Sequence, residues 1–178
     1  MEYKTVDDVY TANLAIREKL KAAVAGLTEN QLNARADETA WSIAQIVEHV
    51  SIVNGGMYRI CRKLLAKAEA DGGTNDGTIS IENEFLQPGS TASEQKLKAP
   101  EMVEPTGGVP IAESISKLDD LQARFAELRS TFETVNGTDP KFPHPYFGDL
   151  SAQEWLVLSG AHEARHLRQI RRISAELT

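Results

Sequence analysis

The chain has 178 residues, 41% of them hydrophobic and 25% charged, with a formal net charge of −7. That is enough chain for one soluble domain with its own core, and the acidic balance weighs against nucleic acid or an anionic membrane as main partner. The lone cysteine, Cys61, excludes an intramolecular disulfide; no apolar run approaches the ~18 residues of a membrane span, and the N-terminus lacks a signal-like apolar stretch, so a cytoplasmic protein is expected.

The first predicted helix covers about residues 6–26. Thr5 caps it, Asp7 and Asp8 lie in its first turn where the helix dipole favours acids, and Val9, Ile16, Leu20 and Val24 form its apolar stripe. Gly26 stops it, and Thr28-Glu29-Asn30-Gln31 reads as a capping box opening one short turn. The second long helix starts more sharply. Ser42 and Gln45 make a capping box, Trp41 and Ile46 a hydrophobic staple, and the helix runs to about Ala70 before Asp71-Gly72-Gly73. His49 falls inside its apolar stripe of Ile46, Val53, Met57, Ile60 and Leu64.

Residues 72–110 break the helical pattern and contain Pro88, Pro100, Pro105 and Pro110. The stretch predicts an irregular crossover with no strand, long enough to return along the bundle so that the helices on either side run parallel. The third long helix covers about 111–136, with Leu118, Leu121, Phe125, Leu128, Phe132 and Val135 as a bundle seam. A loop stiffened by Pro140, Pro143 and Pro145 follows. The fourth helix then opens on Ser151 and Glu154, with Leu150 and Trp155 as its staple. The expectation is an all-α four-helix bundle. Trp41 and Trp155 read as staple and core, not as a substrate platform.

His162 and His166 are i and i+4 on the core stripe of the last helix, one turn apart on one face. The pair alone is a weak signal, and His49 alone reads as a satisfied core histidine. Buried imidazoles, however, need partners. His49 and His162 lie at comparable depth past their N-caps, which would let them converge if the two helices start at the same end. Three imidazoles would suit Zn, Ni, Fe or Cu and leave a coordination position open, as catalytic sites do. Glu48, Glu163, Asn54 and Gln169 are candidates to hold the ring N–H groups. His144 reads as packing within its turn. Cys61 is twelve residues from His49 and off its face. Residues 162–166 spell His-Glu-x-x-His, but only twelve residues follow His166, so a third ligand must come from upstream and the metalloprotease reading loses weight.

Three runs together resemble the DinB/YfiT-like superfamily of metal-binding bundles: Trp41 to His49, His144 to Ser151, and His162 through Ile170. The resemblance implies an up-down-down-up bundle over the whole chain, 1–178, with 72–110 as an irregular insertion. It implies a divalent metal, typically nickel or zinc, held by His49, His162 and His166, and often a homodimer. Some relatives use low-molecular-weight thiols such as bacillithiol or mycothiol. The favoured expectation is therefore a metal-dependent thiol S-transferase acting on a small molecule. The alternatives are a metal-dependent hydrolase with Glu163 or Glu48 as base, or a non-catalytic metal-binding stress-response bundle.

Overall fold

The fold is seen in a computed structural model that describes residues 3–86 and 98–177. Its long helices are α1 (Val6–Val24), α3 (Ile43–Ala70), α4 (Ile111–Thr134) and α5 (Ala152–Ala175), with a one-turn α2 (Glu29–Leu32). Four of these five starts are written in capping chemistry. Thr5, Thr28, Ser42 and Ser151 all cap with the reciprocal bonds of a capping box. α1 ends at Val24, and Gly26 follows in the left-handed region at φ 80°, where a Cβ would be strained. α4 ends at Thr134, two residues short of the predicted end, and Pro110 stands at its N-cap.

Two apolar clusters show how the helices run. One joins Val6 and Val9 at the start of α1, Leu64 and Leu65 late in α3, Phe132 late in α4 and Leu156 early in α5. The other joins Leu20 and Val24 late in α1, Ile43 and Ile46 early in α3, Leu118 in the first half of α4 and Ile173 late in α5. The order is therefore up-down-down-up. α5 packs between α1 and α3, and α3 packs on α4. α3 and α4 are parallel, so the segment between them must travel the length of the bundle. Its first half is extended and crosses the end where α1 and α5 begin: Val6 N–H donates to Gly77 C=O and Ile79 N–H to Lys4 C=O. Short 3-10 turns form at Glu84–Leu86 and Glu101–Val103. Residues 87–97, including Pro88, lie outside the described residues.

The loop before α5 differs from expectation. Lys141–His144 (β1) and Gly148–Ser151 (β2) form an antiparallel hairpin with Phe142 opposite Leu150 and Pro143 opposite Asp149. A two-stranded ribbon has two free edges, so a proline whose missing N–H faces outward costs it no ladder bond.

Candidate metal centre

α3 and α5 start at opposite ends of the bundle, so the same-end condition expected for the histidines is not how they meet. His49 lies six residues past the start of α3, and His166 lies nine residues before the end of α5. Antiparallel packing puts those two depths at one level. Each of His49, His162 and His166 presents a ring nitrogen within 4.8 Å of the other two. The ring centroids are 4.5–5.2 Å apart.

The rings are oriented from behind. His49 Nδ1–H donates to Val103 C=O at 2.7 Å, and His166 Nδ1–H donates to Gln169 Oε1 at 3.0 Å. Both therefore turn an unprotonated Nε2 inward. Trp41 packs on the His49 ring, with centroids 4.7 Å apart. His162 Nδ1 is buried without a hydrogen-bond partner among the described residues. Burial lowers the pKa of His49, drives His162 well below the ordinary imidazole value and brings His166 to about 3. All three rings are neutral near pH 7, the form that coordinates metals.

The donor set fits a transition metal. His49 Nε2 and His162 Nε2 are 3.2 Å apart. Two nitrogens ~2.0–2.1 Å from a tetrahedral ion stand about 3.3 Å apart. A single proton can bridge two of the three nitrogens, whereas one cation can engage all three.

The other residues singled out from sequence separate into different roles. Gln169 touches His166. Glu48, one residue before His49, points away and accepts from Thr106 N–H, Thr106 Oγ–H and Gly107 N–H at 2.8–3.0 Å. Glu163 and Asn54 also face away from the histidines. Glu163 makes a two-pronged ion pair with Arg17 at 2.7 and 2.9 Å and accepts from Asn54 Nδ2 at 3.1 Å. Arg17 was not anticipated, nor was its further bond to Leu118 C=O. His144 Nδ1 accepts from Tyr146 and Phe147 N–H, and its ring stacks on Phe147 at 4.6 Å, as turn packing requires. Cys61 is fully buried, donates to Ala152 C=O, and has its thiol pKa pushed up by burial.

Beside the histidines lies a cavity of about 680 Å³. Trp41 and Trp155 both line it, so the tryptophans are walls of the site as well as staple and core. Among its described lining residues there is no Asp or Glu.

Comparison with known proteins agrees with this architecture. Over 158 residues the chain is 27% identical to YuaE, an uncharacterized protein of Bacillus subtilis (strain 168), covering 85% of this chain and 88% of that one. TT2238, described as a four-helix bundle protein, superposes with a TM-score of 0.64 at 23% identity, over 94% of this chain and 99% of that one. YfiT from Bacillus subtilis, described as a probable metal-dependent hydrolase with an unusual four-helix bundle topology, superposes with a TM-score of 0.65 at 20% identity, over 97% and 87%. At those identities the two structures establish a shared fold. The profile of the DinB superfamily matches residues 14–170, from the first helix to the last, and the chain belongs to that superfamily.

Proposed function

We propose that His49, His162 and His166 hold one divalent transition metal, nickel or zinc, and that the protein is a metal-dependent enzyme transferring a low-molecular-weight thiol to a small electrophile. The observation that carries this reading is the meeting of three neutral ring nitrogens beside a cavity whose described lining holds no carboxylate. A divalent cation there would supply Lewis acidity, lowering the pKa of a thiol that reaches its open side. The chain's own part is to aim and to shield. Val103 and Gln169 orient two rings, Trp41 packs on His49, and Met57 and Leu158 give the cavity an apolar wall. No cysteine nucleophile is needed, and Cys61 does not line the cavity. In transfer, the thiol proton leaves to solvent, sulfur bonds to the electrophilic carbon, and the leaving group departs with its bonding pair.

A hydrolase, the description YfiT bears, would apply the same ion to water. Its candidate bases, Glu48 and Glu163, are committed to the crossover and to Arg17. A non-catalytic metal-binding bundle would hold the ion without turnover. The cytoplasmic homodimer expected from sequence belongs to the same proposal.

Elemental analysis of the purified protein is expected to find about one metal per chain, lost in each of His49→Ala, His162→Ala and His166→Ala. Full retention in any one of the three sinks the three-ligand site. Metal-loaded protein offered bacillithiol, mycothiol or glutathione with monochlorobimane is expected to form the conjugate faster than the metal-free variants. Equal rates would turn the reading to hydrolysis or storage.

A further inference from the structure

A second cavity lies between α1 and α4. Glu163 of α5 lines it, whereas His162 lines the larger one. Two bonds mark its ends: Tyr10 Oη–H donates to Phe125 C=O at 2.7 Å, and Arg17 donates to Leu118 C=O. Between these bonds run two turns of each antiparallel helix, about 10 Å. Midway along, Asn13 is committed to α5. Its Nδ2 donates to Leu156 C=O at 3.0 Å and to Ser159 Oγ at 3.3 Å, and a Cβ on Gly160 would stand 1.8 Å from its Oδ1. The slot has a volume of about 210 Å³, several times the ~30 Å³ share of one water. Two amide oxygens of its lining are buried without a hydrogen-bond partner among the described residues: Asn54 Oδ1 from α3 and Gln122 Oε1 from α4. Asn54 is 1% exposed, and its Nδ2 donates to Glu163 Oε2 at 3.1 Å, which leaves the oxygen as the unmet end. The two amides stand at one level, where a Cβ on Gly55 would meet Leu121 Cδ1 at 3.9 Å. A buried acceptor costs free energy until a donor reaches it.

We propose that the slot binds a small neutral molecule with an NH2 group, a primary amide or a urea, which donates its two N–H bonds to Asn54 Oδ1 and Gln122 Oε1. The apolar part of the molecule lies against Phe125 and Leu156. Charge selects against the alternatives. An anion would turn lone pairs towards the two amide oxygens, and the guanidiniums it could seek are already paired, Arg17 with Glu163 and Arg129 with Asp7 and Glu133. A cation would stand beside those same guanidiniums. A neutral molecule without a donor leaves both oxygens unmet. No histidine takes part, so the inference stands apart from the metal reading.

The test is an NMR titration of the full-length, zinc-loaded, 15N-labelled protein, read at the side-chain NH2 signals of Asn54 and Gln122. Those signals report on this slot and not on the cavity beside the histidines. The probes share one ring and differ in its substituent: benzamide, acetophenone, benzoate and benzamidinium. Benzamide is expected to shift both signals saturably, with a Kd of about 1 mM. The other three should bind about tenfold more weakly or worse, because each lacks the donor or carries a charge. Gln122→Met keeps the length and helix preference of the side chain and removes the acceptor. It should bring benzamide and acetophenone to within about twofold at the Asn54 signal, with the Tm of the wild type. Signals unmoved by benzamide up to its solubility limit would leave the slot to water and overturn the proposal. So would equal affinity for any of the other three probes, or a benzamide preference that survives Gln122→Met.

Discussion

Arg17 and Glu163 are 7% and 3% exposed, and each is the other's counter-ion. Asn54 completes the group from α3. Such a trio contributes less through attraction than through the cost of losing one member, because the remaining charge stays buried. Glu163→Ala is therefore expected to destabilise the fold by about 3–5 kcal/mol in urea unfolding, while the protein that stays folded keeps its metal. An unchanged unfolding midpoint would mean that Arg17 finds another acceptor. In this role Glu163, next to a candidate ligand, faces α1, whereas His162 and His166 face the cavity. The signal was present in the sequence. Residues 6, 9, 13, 17, 20 and 24 follow one helical stripe, which puts Asn13 and Arg17 on the core face among Val6, Val9, Leu20 and Val24. What the spacing could not supply was the partner, which comes from 146 residues further along.

At the scale of elements, the crossover is pinned by two buried carboxylates. Near the start of α5, Glu154 accepts from Ser151 N–H in its capping box and also from Glu82 and Asn83 N–H. Near the other end of the bundle, Glu48 holds Thr106 and Gly107, and the adjacent His49 bonds Val103. One stretch of α3 thus holds the crossover and receives from it the carbonyl that orients the His49 ring. Glu48→Ala is expected to speed amide exchange over residues 98–108 and to weaken metal binding about tenfold, the usual loss when a ligand's outer support goes. Unaltered exchange there would show that the carboxylate does not hold the segment. Capping boxes at Ser42 and Ser151 could be read in advance because they join residues three apart. The hairpin could not, because three prolines advertise a turn and conceal the pairing of Phe142 with Leu150.

At the scale of the molecule, the three histidines bring ring nitrogens of α3 and α5 within 4.8 Å of one another, although the two helices are far apart in sequence and antiparallel in space. A ligand that binds only the folded state stabilises it by mass action. At a free metal concentration 100 times Kd the gain is about 2.7 kcal/mol. Nickel or zinc should accordingly raise the Tm of the wild type, a chelator should reverse the rise, and His166→Ala should show neither. A Tm indifferent to metal in the wild type would argue against a site joining the two helices.

Local sequence specifies the helices, most of their caps and the core-facing placement of His49, His162 and His166, because capping and amphipathic periodicity act over one or two turns. It also carried the family resemblance, since that lies in local runs. Packing between distant segments establishes that α3 and α5 meet head to tail, that Val103 accepts from His49, that Glu48 and Glu163 bond the crossover and Arg17, and that a cavity without acids in its described lining opens beside the rings. Those outcomes depend on which surfaces a crossover of nearly forty residues brings together, and no local preference of the chain specifies them.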